Sequence, residues 1–224
     1  MSKYKAVIFD LDGTLLNTID DLASGVNHVL EKNGMPRHTV EEVKYMVGNG
    51  VKRLMRLAVP KGTSEQEQSE LLAQFREYYI SHSEIMTKPY DGIEKMLLSL
   101  RGENIKTAVA SNKFDAAVKK LCEKYFPHMI DFAVGESADT PKKPDPAMIK
   151  KAMAALGTSE SETLYVGDSD VDIMTAKNAG LSCVSCTWGF RERDFLAKQR
   201  EERLGYCDES MMIDSPSELF SVIG

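Results

Sequence analysis

The chain has 224 residues, with 28 lysines and arginines against 34 aspartates and glutamates, a net charge of −6. That balance, without any dense basic stripe, excludes broad binding along a nucleic-acid backbone. Hydrophobic residues at 42% can build a core, yet no apolar run reaches the ~20 residues that span a bilayer.

Taken in order, Met1 to Lys5 leads into only four apolar residues before Asp10, too few for a signal peptide, so a cytoplasmic protein is expected. Ala6-Val-Ile-Phe9 reads as a buried parallel strand. From about Thr18 to Ser83 only amphipathic helical patterns follow. The first runs from Asp20 to Lys32, and the second opens on the capping-box sequence Thr39-Val-Glu-Glu42. After Gly48-Asn49-Gly50 come a short helix from Val51 to Ala58 and a longer one from Ser64 to about Ser81. Beyond Lys88-Pro89, strands at 107–110, 132–134, 163–166, 181–184 and 211–213 alternate with helices at about 93–102, 114–124, 146–156, 170–179 and 215–222. Strand alternating with helix predicts an α/β fold, a doubly wound parallel sheet reached by right-handed crossovers. The insert predicts a separate all-α domain at 17–86, with the α/β domain formed by 1–16 and 87–224.

The cysteines and histidines carry little. Cys183 and Cys186 form a C-x-x-C, but no second pair completes a zinc site, and their surroundings read as a buried strand. His28, His38, His82 and His128 show no common spacing and are assigned to surface or packing positions.

The polar residues after the strands carry more, because ligands of open parallel sheets bind at the carboxyl ends of the strands. Asp10-Leu-Asp12-Gly13-Thr14 follows the first strand, Ser111-Asn112-Lys113 the second, and Gly167-Asp168 with Asp172 the fourth. Lys142-Lys143-Pro144 precedes a helix. Asp10, Asp12, Asp168 and Asp172 thus converge, and carboxylates crowded together call for a cation. All-oxygen ligation suits Mg²⁺. A lysine, hydroxyls and loop N–H groups supply an anion-binding half, and an aspartate is a known covalent nucleophile for phosphoryl transfer. Taken alone, each piece has a plainer reading: Asp12-Gly13 as a turn, Ser111 as a helix N-cap, Lys142-Lys143 as a solvated pair.

These segments resemble the four motifs of the haloacid dehalogenase superfamily, in its phosphatases with a small helical cap. The four are Asp10-x-Asp12-Gly13-Thr14, Ser111-Asn112, Lys143 before Pro144, and Gly167-Asp168-x-x-x-Asp172, in order over essentially the whole chain. The resemblance implies a Rossmann-like core in which Asp10 attacks phosphorus and Asp12 acts as acid, then base. It implies Mg²⁺ held by the Asp10 carboxylate, the Asp12 carbonyl and Asp168, with Asp172 completing the acidic pocket. Ser111, the backbone of Asn112 and Thr14 would grip the phosphoryl oxygens, and Lys143, rather than Lys142, would offset their charge. Asp20-Asp-Leu-Ala23, Asn27, Gly48-Asn49-Gly50 and Ser111-Asn-Lys113 are similar to the phosphoglycolate phosphatase group, with Asn17 a departure from the Asp of many relatives. On that likeness Gly48, Asn49 and Gly50 would cover a small anionic substrate, and Arg53 would pair with its carboxylate; a solvated face is the alternative for Arg53. The implied protein is a Mg²⁺-dependent phosphatase of a small phosphorylated metabolite, a monomer or homodimer without nucleic-acid or membrane partners. A pyrophosphatase and a sugar-phosphate mutase of the same fold remain open.

Overall fold

The computed structural model describes residues 3–224. Its organising strand is β1 (Ala6–Phe9), four apolar residues buried on both faces. Around it lies a six-stranded parallel sheet with β4 (Lys106–Phe114), β5 (Phe132–Glu136), β6 (Thr163–Gly167), β7 (Ser182–Cys186) and β8 (Met212–Ile213). The spatial order is β5-β4-β1-β6-β7-β8. β1 registers Ala6 with Lys106 on one side and with Thr163 on the other.

Side-chain alternation sends the strand residues into two cores. Val7, Phe9, Val109, Leu164, Val166, Val184 and Cys186 face one core, covered by α5 (Ile93–Gly102), α6 (Asp115–Tyr125) and α10 (Leu219–Ile223). Ala6, Ile8, Ala108, Ala110, Tyr165 and Cys183 face the other, covered by α7 (Ala147–Leu156), α8 (Asp170–Ala179) and α9 (Arg193–Leu204). The chain first builds outward from β1 to β5, then returns to β6 on the far side. Right-handed crossovers therefore place the later helices on the opposite face, which makes the carboxyl end of β1 the switch point.

The chain divides into two compact units: one runs up to Leu16 and resumes at Pro89, the other is Asn17–Lys88. The division falls two residues beyond the expected 86. Asp21 is the reason: its buried carboxylate accepts the Met86 and Thr87 N–H groups at 3.0 and 2.8 Å, tying them to the helical unit. Two short strands, β2 (Leu16–Asn17) and β3 (Lys88–Pro89), mark the passages between units. The helical unit holds α1 (Ile19–Lys32), α2 (Val40–Met46), α3 (Gly50–Ala58) and α4 (Glu65–His82). Thr39 and Glu42 close their capping box at the start of α2. Gly25 of α1 lies against Phe75 of α4 so closely that a Cβ would stand 2.9 Å from the ring.

Three expectations shift. The second strand continues through Ser111, Asn112 and Lys113 to Phe114, because its register with β5 slips between Ser111 and Phe114. The final helix is shorter than 215–222, a 3₁₀ turn at Pro216–Glu218 preceding α10. Helix α9 was absent from the sequence pattern, and its inward face explains why: Leu196 is followed one turn later by Arg200, a buried charge where periodicity looks for an apolar residue. No helix among the described residues is long and apolar enough to cross a membrane.

Candidate active site

Asp10 is the first residue beyond β1. Its N–H still bonds to the Val166 carbonyl at 2.9 Å, so the neighbouring strand fixes where the side chain begins. Its Oδ1 accepts the Leu11 N–H at 2.7 Å and lies 2.9 Å from Lys143 Nζ, leaving Oδ2 without a described hydrogen bond. Lys143, 1% exposed, is the centre of the arrangement: its ammonium also donates to Asp172 Oδ1 at 2.8 Å and meets the Tyr165 hydroxyl at 3.0 Å. Lys142, next to it, is exposed, which distinguishes the two lysines. The backbone at Lys143, followed by a cis bond to Pro144, is clamped by Asn112. Asn112 Nδ2 donates to the Lys143 carbonyl at 3.1 Å, and Asn112 Oδ1 accepts the Lys143 N–H at 2.7 Å. Asn112 thus acts through its side chain on a neighbouring loop, a role the sequence did not suggest.

Asp172 sits in the first turn of α8, where it forms a capping box with Ser169. Its Oδ2 accepts the Ser169 N–H at 3.1 Å and hydroxyl at 2.5 Å, while Oδ1 accepts Lys143 and, at 2.8 Å, the Tyr165 hydroxyl. Both oxygens are therefore engaged, which suits an anchor for Lys143 better than an open ligand. Asp168 is held by the Phe190 N–H, which donates to its Oδ2 at 2.7 Å. The loop Trp188-Gly189-Phe190 reaches that carboxylate because two glycines leave room. A Cβ on Gly13, whose φ is +88°, would stand 2.3 Å from Asp168 Oδ2, and one on Gly189 would stand 2.4 Å from the Asp168 Cβ.

Asp10, Asp168 and Asp172 each offer a carboxylate oxygen within 4.8 Å of the others. Lys143 pairs with two of these carboxylates, Asp10 and Asp172, while Arg191 acts at longer range on Asp168. Burial raises Asp10 to about 7, and Asp172 adds to the rise; Lys143 opposes it without prevailing, since that ammonium is shared. Asp168 is raised well above the usual carboxylate range, by burial first and then by Asp172 and Asp10. Lys143 goes up because Asp10 and Asp172 outweigh its own burial. A buried, all-oxygen, net-negative cluster fits a hard divalent cation.

Asp12 lies apart from that cluster. Lys113 Nζ contacts both its oxygens, at 3.0 and 3.1 Å, in a pair largely withdrawn from water. Lys113, noted in the sequence only as part of Ser111-Asn112-Lys113 and given no role there, thus joins the candidate site. Tyr165 was also passed over, since an aromatic residue in Thr163-Leu-Tyr-Val166 reads as core. Ser111 is buried, with its Oγ 3.4 Å from the Lys113 N–H, and is not a helix N-cap, because α6 begins only after Phe114. Thr14 has a different place from the one expected. It is fully buried, its hydroxyl lies 3.9 Å from Cys186 Sγ, and its carbonyl accepts the Trp188 indole N–H at 3.0 Å, so its contacts support the loop instead of presenting a hydroxyl.

In the helical unit, Asn49 caps α3 without a side-chain cap bond, between Gly48 and Gly50, both at positive φ. Arg53 is half-buried and donates from Nη1 to the Met46 carbonyl at 3.3 Å. Asn27 and His38 are structural: the Asn27 amide pairs with the His38 backbone at 2.8 and 2.9 Å, and the His38 ring reaches the Ala58 carbonyl. His28, Tyr78 and His82 stack at 3.9 Å spacings. Cys183 and Cys186 point to opposite faces of β7 and so cannot act as a pair; burial pushes the Cys183 thiol up to about 12.

A carboxylate thus stands at the switch point of a doubly wound sheet, backed by a buried lysine and an acidic cluster. The chain belongs to the haloacid dehalogenase-like hydrolases, whose family model matches residues 7–186. Within that superfamily it is a phosphatase resembling the phosphoglycolate phosphatases. The Pseudomonas putida phosphoglycolate phosphatase is 33% identical over 192 residues, 83% of this chain and 70% of that one. The Aquifex aeolicus phosphoglycolate phosphatase is 31% identical over 191 residues, 83% of this chain and 86% of that one. A crystal structure from Lactobacillus delbrueckii subsp. bulgaricus, of a candidate phosphoglycolate phosphatase, superposes with a TM-score of 0.91 at 34% identity, covering 99% of this chain and 98% of that one.

Proposed function

We propose that the protein hydrolyses a small phosphomonoester, 2-phosphoglycolate foremost, through an aspartyl-phosphate on Asp10. The observation that carries the reading is the fixing of one Asp10 oxygen by Leu11 N–H and Lys143 while the other accepts no described bond. That arrangement orients a carboxylate for attack and places a buried cation where the substrate dianion meets it. Phosphorus accepts Asp10 as the ester oxygen departs, and Asp12, aimed by Lys113, gives that oxygen its proton. Asp12 then takes a proton from water as the water attacks the acyl phosphate, freeing inorganic phosphate and restoring Asp10. Ser111 and the Asn112 backbone are assigned to the phosphoryl oxygens. Asp10, the Asp12 backbone and Asp168 would hold Mg²⁺, which supplies charge neutralisation for the dianion and the developing transition state.

The substrate rests on the relatives, whose names state phosphoglycolate. The core residues address only the phosphoryl group, so discrimination is assigned to the helical unit as a cap, with Gly48, Asn49, Gly50 and Arg53 as its contacts. Phosphate release from 2-phosphoglycolate, pyrophosphate, a hexose phosphate and p-nitrophenyl phosphate, each with Mg²⁺ and with EDTA, tests the reading. Phosphoglycolate should give the highest kcat/KM, and only with Mg²⁺. A preference for pyrophosphate, or conversion of hexose phosphate to an isomer, would replace it. If Arg53 meets the substrate carboxylate, Arg53→Ala should cost about 2–3 kcal/mol in kcat/KM on phosphoglycolate and almost nothing on p-nitrophenyl phosphate.

A further inference from the structure

Tyr165 of β6 is wholly buried, and its ring belongs to the core beneath α7 and α8. Its hydroxyl donates to Asp172 Oδ1 at 2.8 Å and accepts from Lys143 Nζ at 3.0 Å. A phenol has a single proton and an ammonium has no lone pair, so the direction of both bonds is fixed. The ammonium in turn has three N–H groups, and Lys143 meets three acceptors. These are Asp10 Oδ1 at 2.9 Å, Asp172 Oδ1 at 2.8 Å and the Tyr165 hydroxyl. Every donor of this buried charge is engaged inside the protein.

The count bears on Asp10. Its Oδ1 carries both Lys143 and the Leu11 N–H, while Oδ2 has no described hydrogen bond. A buried N–H of an ammonium left without an acceptor is costly and turns to whatever oxygen it can reach. The carboxylate already in contact offers one, Asp10 Oδ2, and a bound phosphoryl group offers others. An N–H on Oδ2 would draw charge from the oxygen assigned to attack, which weakens a nucleophile. We infer that Tyr165 is a positioning residue for that attack, an inference that rests on the reading of Asp10 as nucleophile. By taking the third N–H of Lys143 and giving its own proton to Asp172, Tyr165 holds the ammonium on one Asp10 oxygen and keeps it off the other. Lys143 then meets the substrate dianion with its charge, its own three hydrogen bonds staying in place.

Tyr165→Phe keeps the ring in the core and removes only the hydroxyl. Phosphate release from p-nitrophenyl phosphate with Mg²⁺ gives kcat per folded molecule, and inhibition by inorganic phosphate reports how the phosphoryl group is held. The expected kcat falls about tenfold or more, the scale of one hydrogen bond to a charged group. The inhibition constant of phosphate should stay level or fall, because the freed N–H can turn to a phosphate oxygen. A lower melting temperature with the parent kcat per folded molecule would show a merely structural hydroxyl and overturn the inference. A loss in kcat matched by an equal weakening of phosphate inhibition would overturn it too, since that marks a distorted pocket. Asp10→Asn assayed alongside separates the two readings: turnover by that variant defeats the nucleophile and this inference with it, whereas an inactive Asp10→Asn beside a parent-like Tyr165→Phe defeats this inference alone. Should Tyr165→Phe not fold, the unaltered protein decides. The Tyr165 hydroxyl proton, assigned by through-bond correlation from its ring, should exchange slowly with water and continue to do so when inorganic phosphate saturates the site. A proton released into fast exchange by phosphate would mean that the ligand takes the N–H that Tyr165 holds, and the inference would fall.

Discussion

Lys143 shows how much one side chain decides here. Its ammonium lies between Asp10 and Asp172, and the Tyr165 hydroxyl closes the group. Removing the charge leaves two buried carboxylates without a counter-ion, so Lys143→Met should destabilise the fold by about 3–5 kcal/mol, measured by denaturant unfolding, and abolish turnover. On the proposed route, Asp10→Asn keeps the shape and removes the attacking oxygen. Turnover should fall below about one-thousandth of the parent value while circular dichroism is unchanged; residual steady-state activity above that would argue against the covalent route. Lys113→Met should cost about 1.5–3 kcal/mol in kcat/KM, because Asp12 loses a charged partner on both oxygens.

At the scale of elements, the groups proposed for catalysis hang on the ends of strands and the first turn of one helix. The capping box at the start of α8 does two things: it satisfies helix N–H groups and fixes the Asp172 oxygen opposite the one that holds Lys143. Ser169→Ala should therefore lower stability by about 1 kcal/mol, as loss of an N-cap does, and lower kcat beyond what that stability loss explains. A stability loss with unchanged kcat would mean that α8 holds Asp172 without its cap. The turn after β1 depends on Gly13 in the same way. Its positive φ and the Asp168 carboxylate at Cβ distance leave no room for a side chain, so the Asp10 and Asp168 loops approach only over glycine.

For the whole molecule, the acidic cluster couples folding to pH and, on the proposed Mg²⁺ site, to a cation. Asp10 titrates near 7 in the folded protein against an ordinary value of 3.8. Between those values the folded chain holds a proton that the unfolded chain has released. This group's contribution thus favours folding below about pH 4, weakens as pH rises towards 7 and is level above that. A bound cation replaces the proton and reverses the penalty, so Mg²⁺ should raise the melting temperature more at pH 8 than at pH 5. Fluorimetric melting with Mg²⁺ or EDTA at both pH values measures the difference; an equal gain at both would place the cation elsewhere.

By itself the sequence determined the six strands, the four helices of the inserted segment and the order in which acidic and basic residues follow the strands. Those features depend on local apolar periodicity, on turn residues and on the rule that parallel sheets bind ligands at their carboxyl ends. Asp10 and Asp168 were legible for that reason, whereas Lys143 was singled out from Lys142 only by the resemblance of Lys143-Pro144 to a family motif. Tertiary structure decided what neighbouring chain segments do to one another. Tyr165 meets Lys143 only because its side chain points to the sheet face covered by α7, the helix that Lys143 precedes, Lys113 reaches Asp12 only because β4 lies beside β1, and Asn112 clamps a loop 31 residues away. Helix α9 is the same lesson in reverse. Its pattern was unreadable because Arg200 occupies an inward position, and only packing against the Cys183 carbonyl and Ser185 hydroxyl makes a buried guanidinium possible there. Local patterning sets where elements form; partners distant in sequence set which polar groups become buried, and burial is what raises the proton affinity of Asp10 and Asp168.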